Sequence, residues 1–312
     1  MWKPNDRVQL ILDTDIGNDI DDSWALAFLL ESPEVDLKYI MAATGDTEYR
    51  ARVIAKMLQT AERTDIPVGM GRPTPDHGKT LEEWVEDFRW QTYPGPFPQN
   101  GVERMVRAAM ELDEPTILSI GPMTNIAEAL ELEPALAERC RLVAMSGSLE
   151  KHEDGREGQI AEWNVRGDIA AAQKVYSAPW KSMRITPLDS CGALRLSGDG
   201  LRRIQVSDNP LTQTLMNSVD CWLDNMDIKR RWPETSPILF DAVAAYLCFA
   251  TDLLEMVQMN ILIDNEGFMR QSPQGAPVEC AIGWRNEDGF KELLSRRLAS
   301  GEPVRIPVAV GT

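Results

Sequence analysis

Five aspartates fall within ten residues near the N-terminus: Asp13, Asp15, Asp19, Asp21 and Asp22. Carboxylates packed this densely repel one another and raise each other's pKa unless a cation neutralises them. Oxygen ligands on a loop suit a hard divalent ion such as Ca²⁺ or Mg²⁺. Asp is also a good turn residue and helix N-cap. Asp21 or Asp22 could cap a helix starting near Ser23, which explains one or two of the five but not the whole set. The pattern is not an EF-hand. A loop starting at Asp13 would need Gly sixth and Glu twelfth, and those places hold Asn18 and Trp24.

The flanks say how such a loop would be held. Residues 8–12 (VQLIL) form a β-type run, and residues 24–30 (WALAFLL) an apolar helical run. Gly17 between them suits a tight turn with positive φ. Strand patterns recur at 37–43, 66–70, 116–120, 142–145 and 183–187, with late strands at 259–263 and 278–282. Helical spacing recurs at 48–62, 102–112, 126–132, 169–176, 201–227 (interrupted by Pro210), 237–250 and 288–299. Alternation of this kind predicts an α/β fold with an open, mostly parallel central sheet and right-handed crossovers. Ligands in such sheets bind beyond the carboxyl ends of the strands, where this chain repeatedly places polar residues. No repeat or linker divides residues 1–312, so a single domain is expected. Residues 72–100 are rich in Pro and Gly and carry Trp84, Trp90, Tyr93 and Phe97. They read equally as a lid over the site or as a surface loop packed on the body.

Composition narrows the partners. The net charge of −17 disfavours nucleic acid and anionic membrane, which are themselves polyanions. No apolar run is long enough to span a bilayer, and the N-terminal MWKPNDR has no signal-peptide core. Five scattered cysteines without a CxxC pair read as reduced thiols of a cytoplasmic protein, with no zinc site. The two histidines, His77 and His152, lie in polar, loop-like surroundings that favour a surface role for both.

Four motifs taken in order carry a resemblance. They are Asp13-Thr14-Asp15-Ile16-Gly17 with Asp21-Asp22, Gly121-Pro122-Met123-Thr124-Asn125-Ile126-Ala127, Ala161-Glu162-Trp163-Asn164 with Asp168, and Phe240-Asp241. Together they resemble the nucleoside hydrolase family of the inosine-uridine-preferring type, over nearly the whole chain. The resemblance implies a single α/β domain that hydrolyses the N-glycosidic bond of a small-molecule ribonucleoside with Ca²⁺. Asp15, Asp22 and Asp241 would ligate the ion by carboxylate and Thr124 by its main-chain carbonyl. Asp15 would also be the general base, and Asp21, Glu162 and Asn164 would hold the ribose hydroxyls. A homo-oligomer, dimer or tetramer, is implied as well. The chemistry is coherent: nearby carboxylates stabilise an oxocarbenium-like sugar more in the transition state than in the ground state.

The departures from the family pattern are specific. The aspartate loop is two residues longer, so Asp19 competes with Asp21 and Asp22 for their roles; the latter two are preferred because the helix follows them directly. Phe240 replaces a histidine that donates a proton to the departing base in some members. Arg156 stands where an asparagine contacts the sugar. Asp46, after Gly45, resembles the purine-preferring branch and is a candidate substrate contact. Without the histidine, stacking of a purine on Trp84, Trp90, Trp222 or Trp232 is the expected route to activating the base. Two other readings stay open. One is a phosphohydrolase with Asp13 as nucleophile, since strand-Asp-x-Asp also opens that class. The other is a non-catalytic ribose- or nucleoside-binding protein on the same scaffold.

Overall fold

The computed structural model describes residues 7–75, 78–226 and 232–300. The chain alternates strand and helix from the start: β1 (Val8–Thr14), α1 (Asp21–Leu30), β2 (Val35–Ala42), α2 (Thr47–Thr60), β3 (Val68–Met70), α3 (Gly101–Glu111), β4 (Thr116–Ser119), α4 (Thr124–Leu132). It continues with α5 (Leu136–Arg139), β5 (Arg141–Met145), α6 (Trp163–Gly167), α7 (Ile169–Ser177), β6 (Ser182–Thr186) and α8 (Leu188–Cys191). The last part holds α9 (Gly198–Gln205), α10 (Pro210–Met226), α11 (Phe240–Leu247), β7 (Leu254–Ile263), β8 (Met269–Gln271), β9 (Ala276–Trp284) and α12 (Glu287–Ser300).

Among the described residues nine strands make one sheet, in the order β3-β2-β1-β4-β5-β6-β9-β7-β8. Pairing is parallel from β3 through to β9; only β7 runs against its neighbours β9 and β8. The expected mostly parallel α/β sheet is therefore the observed one. β1 shows why both faces are covered. Leu10 and Leu12 enter one buried cluster, while Ile11 enters the other. Alternate side chains of a strand point to opposite faces, so a strand apolar at both needs helices on both sides. α1 is apolar nearly all round because it is enclosed by the sheet, α10, α11 and α12.

The topology determines where a ligand can sit. β1 is flanked by β2 on one side and β4 on the other, and the strand order reverses there. At such a reversal the connections leave in opposite directions and open a crevice beyond the strand ends. The aspartate loop follows β1 and the Gly121-Pro122 turn follows β4, so both deliver their residues into that crevice.

The long helical pattern predicted over 201–227 is two helices. Pro210 has no N–H to donate and is accommodated as the first residue of α10. The described residues of 72–100 form loops and short 3₁₀ turns. Trp90 stacks on Phe97 with ring centroids 3.8 Å apart, and Phe88 and Tyr93 pack around it. Lys56 lies 4.7 Å from the centre of the Trp84 ring. This aromatic cluster packs against the body of the domain.

Candidate active site and metal centre

The turn after β1 is shaped by contacts that make any side chain at Gly17 strained. Its φ is 102°, and a Cβ there would lie 2.9 Å from the Tyr49 ring. The Gly17 carbonyl accepts from the Tyr49 hydroxyl at 2.7 Å and from the Thr80 amide and hydroxyl, each at 3.0 Å. Buried Arg50 donates from Nη1 to the Ile16 carbonyl and from Nε to the Thr44 carbonyl, both at 2.9 Å. The loop is therefore fixed by its backbone, which leaves the aspartate side chains to face one another.

Asp21 and Asp22 open α1, and neither caps it; Ile20 holds the cap position without a side-chain bond. Asp241 arrives from the first turn of α11. One carboxylate oxygen from each of Asp21, Asp22 and Asp241 lies within 4.8 Å of the others, and all three side chains are buried. Burial pushes all three carboxyls well above their ordinary range, and neighbouring carboxylates add to it: Asp19 and Asp15 act on Asp21, Asp15 and Asp21 on Asp22, and Asp21 and Asp22 on Asp241. A side-chain hydrogen bond between Asp21 and Asp241 lowers the former and raises the latter. Against this, the Thr14 hydroxyl donates to Asp22, and Arg50 favours its charged form. Asp15 sits over the turn after β4, where a Cβ on Gly121 would come within 2.9 Å of its Oδ1. Its charge is felt by Asp13, Asp19, Asp21, Asp22, Asp241 and Glu162.

A cavity of about 640 Å³ opens at this cluster. Asp15, Asp19, Asp21, Asp22 and Asp241 line its floor with Glu162 and Asn164. Glu162 caps α6, accepting from the amides of Asn164 at 2.7 Å, Gly147 at 2.9 Å and Val165 at 3.4 Å. Burial nevertheless pushes its carboxyl up to about 7. Asn164 donates from Nδ2 to the carbonyls of Met145 and Ile120, at 3.1 and 3.3 Å, which bridges the ends of β5 and β4. Asp19 stands outside the close trio but lines the cavity; burial pushes it to about 6.

Other residues singled out from the sequence lie elsewhere. Asp46 caps α2 through the Tyr49 amide at 3.0 Å and pairs with Lys79 at 2.7 Å, outside the cavity wall. Thr124 starts α4, donates its hydroxyl to Asp168 at 2.8 Å and is also outside the wall. Trp222 and Trp232 line the cavity, whereas Trp84 and Trp90 do not. No described residue of 72–100 does. Asp13 is fully buried beneath the site and accepts from Asn125 Nδ2 at 2.8 Å. It is not part of the wall, so a nucleophilic role there has no access to a substrate. His152 is outside the wall as well, and His77 lies outside the described residues.

The structure adds wall residues with no motif to announce them. Asn18 comes from the aspartate loop, Glu153 and Asp154 from the turn after β5, and Arg195 from the stretch after α8. Arg156 also lines the wall, paired with Asp154 at 2.8 Å. Trp163, 39 % exposed, belongs to a recognised motif, but its aromatic face in the cavity is legible only in three dimensions.

The acidic cluster thus sits at the reversal point of a doubly wound sheet. The family described as inosine-uridine preferring nucleoside hydrolase matches residues 10–290, and this chain belongs to it. Members are enzymes that cleave N-glycosidic bonds. The pyrimidine-specific ribonucleoside hydrolase RihA of Enterobacter sp. (strain 638) is 27% identical over 317 residues, covering 93% of this chain and 97% of the relative. The protein of the same name from Escherichia coli O127:H6 is 28% identical over 314 residues, with 93% and 97% covered. Among solved structures, the plant nucleoside hydrolase PpNRh1 superposes with a TM-score of 0.78 at 19% identity, covering 94% of this chain and 99% of that one. The purine-preferring ribonucleoside hydrolase from Gardnerella vaginalis gives 0.77 at 18% identity, with 94% and 98% covered.

Proposed function

We propose that this protein is a calcium-dependent ribonucleoside hydrolase that releases free base and ribose. One observation carries the reading. Three buried carboxylates from sequence-distant segments, Asp21, Asp22 and Asp241, converge at the floor of a nucleoside-sized cavity beside Asp15. Three ionised carboxylates so close would be severely destabilised without a cation, and an all-oxygen donor set fits Ca²⁺. Asp15, Asp22 and Asp241 would hold it, with Asp21 beside them at the sugar, and the Thr124 carbonyl is the further ligand that the family resemblance implies. When bound the ion supplies charge that lowers the pKa of a water.

The chain's own residues account for the rest. Asp15 takes the proton of the attacking water. Asp21, Glu162 and Asn164 bind the ribose hydroxyls. Glu162 is oriented by three amide donors and Asn164 by two carbonyl acceptors, so both are preorganised for such contacts. The base lies toward Trp222 and Trp232, whose aromatic area favours purines. Asp46, which caps α2 and pairs with Lys79 outside the wall, has no part in this reading. A second reading, preference for pyrimidines, is supported by the two RihA relatives, which are pyrimidine-specific by name. We place the enzyme in the cytoplasm as a homo-oligomer, in keeping with its unpaired cysteines, its net charge and the family resemblance. Among the described residues no helix is long and apolar enough to cross a membrane.

The test is a reducing-sugar assay on inosine, guanosine, uridine and cytidine, with Ca²⁺ or with chelator, beside phosphate release from phosphomonoesters. Ribose release that needs Ca²⁺ is the expected result. Ribose binding without turnover would point to a binding protein, and phosphate release to a phosphohydrolase.

A further inference from the structure

The departure of the base needs a partner for the charge that develops on it. Phe240, at the first position of α11, cannot provide one. Among the described residues the cavity wall holds no histidine, lysine, tyrosine or cysteine. It does hold two arginines, Arg156 and Arg195. The Nε of Arg156 is shared between both oxygens of Asp154, at 2.8 and 3.1 Å, on a side chain that is largely exposed. Arg195 is half-buried, and its Nη1 donates to the Ser236 carbonyl at 2.7 Å. Thr235, Ser236, Pro237 and Ile238 form the wall that leads into Phe240 and Asp241. Arg195 also favours the charged form of Asp19 in the aspartate loop. Its guanidinium therefore stands where the acidic loop meets the wall that ends at Phe240.

We infer that Arg195 is a catalytic residue that binds the departing base and stabilises it as an anion. This rests on the hydrolase reading above. A guanidinium presents its N–H donors in a rigid planar fork and does not give up a proton in proteins. The step is then fully written without a general acid. The C1′–N bond breaks, and its electron pair stays on the base nitrogen. Water oxygen bonds C1′, and Asp15 takes the water proton. The base leaves as an anion hydrogen-bonded to Arg195 and is protonated from solvent after release, while Asp15 returns its proton to solvent. Preorganised donors aimed at developing charge are usually the largest single contribution to such catalysis. The substrate class follows. Oxo bases, whose carbonyls accept from the guanidinium and spread the negative charge, are preferred over their amino counterparts: inosine over adenosine and uridine over cytidine.

The experiment compares wild type with R195M and R195K on two kinds of ribofuranoside. One kind is inosine and uridine; the other is 4-nitrophenyl β-D-ribofuranoside, whose leaving group needs no help. R195M should lose ~10²-fold or more in kcat on the nucleosides. It should keep nitrophenyl riboside turnover within about threefold, the asymmetry that leaving-group catalysis demands. R195K, which keeps the charge but not the fork, should recover part of the nucleoside loss. Equal losses on both substrates would assign Arg195 to structure or sugar binding and overturn the inference, as would full nucleoside activity in R195M. Failure of the wild type on every riboside would instead overturn the hydrolase reading itself.

Discussion

The indole N–H of Trp222 donates to the main-chain carbonyl of Asn18 at 3.1 Å, joining α10 to the aspartate loop. The same carbonyl accepts from the Thr80 hydroxyl at 2.7 Å. Trp222 thus presents one face to the cavity while its nitrogen steadies the loop that carries Asp15, Asp19, Asp21 and Asp22. One side chain therefore lines the cavity and ties α10 to the loop.

The two roles separate by substitution. Trp222→Phe keeps an aromatic face and removes the donor. Losing one hydrogen bond costs on the order of 1 kcal/mol, so kcat should fall about fivefold to tenfold with little change in KM. Trp222→Ala should lower kcat and raise KM together. Trp84→Ala and Trp90→Ala remove packing outside the cavity, so they should lower the melting temperature and leave kcat near wild type. Steady-state kinetics on inosine decides: a Trp222→Phe enzyme with wild-type kcat would show that the bond to Asn18 does not align the loop.

Much of this was legible in one dimension because the same residues serve fold and site. The strand-turn-helix pattern around Gly17 announced both the first β-α unit and the acidic loop. Asp241 was legible only through its place in a motif, since nothing local distinguishes an acid at the start of an apolar helix from a simple first-turn charge. Asp46 reads two ways for a related reason: a polar residue after a strand end is as often a helix cap as a ligand contact, and here it caps α2 and pairs with Lys79 outside the cavity wall. Of the four tryptophans, spacing could not separate those facing the cavity from Trp84 and Trp90, which pack against the domain. Arg195 had no signal at all. Its position depends on how the stretch after α8 lies against residues 235–238, a tertiary fact that no periodicity encodes.

Removing Asp241 tests the metal. It lies far in sequence from the other two acids, so its loss leaves the aspartate loop chemically intact. Asp241→Ala should reduce Ca²⁺ content, measured by elemental analysis after dialysis, and should lower kcat/KM by ~10²-fold or more, since one charged ligand of a hard-cation site is gone. Full calcium with full activity would remove Asp241 from the site.

Glu162 and Asn164 are held by backbone contacts in fixed orientations at the cavity floor. A site built to hydrogen-bond a hydroxyl leaves buried polar groups unpaired when that hydroxyl is missing, which can cost ~10⁴-fold. The kcat/KM on 2′-deoxyinosine should therefore fall about that far below inosine. Comparable values on the two would contradict sugar recognition through these hydroxyls.

The final prediction concerns the stability of the chelated protein as pH changes. Burial pushes Asp13 and Glu162 each up to about 7 and Asp19 to about 6, and pushes Asp21, Asp22 and Asp241 well up too. In the unfolded chain such carboxyls titrate near 4. Between about pH 4 and 7 the folded state therefore binds more protons than the unfolded state. Stability must then fall as pH rises across that window, by up to ~1.4 kcal/mol per pH unit for each such group. This is opposite to the usual behaviour of ion-paired carboxylates, which stabilise as they ionise. Bound Ca²⁺ would reverse the sign, because a cation held by the deprotonated acids of the folded state alone stabilises that state as the acids ionise. Melting temperatures from pH 4.5 to 7.5 should decline in chelator and should level or rise in millimolar Ca²⁺, so that the two curves diverge toward neutral pH. A chelated protein that grows more stable from pH 4.5 to 7 would show that the acidic cluster is already neutralised by the protein itself, and the case for a resident cation would fall with it.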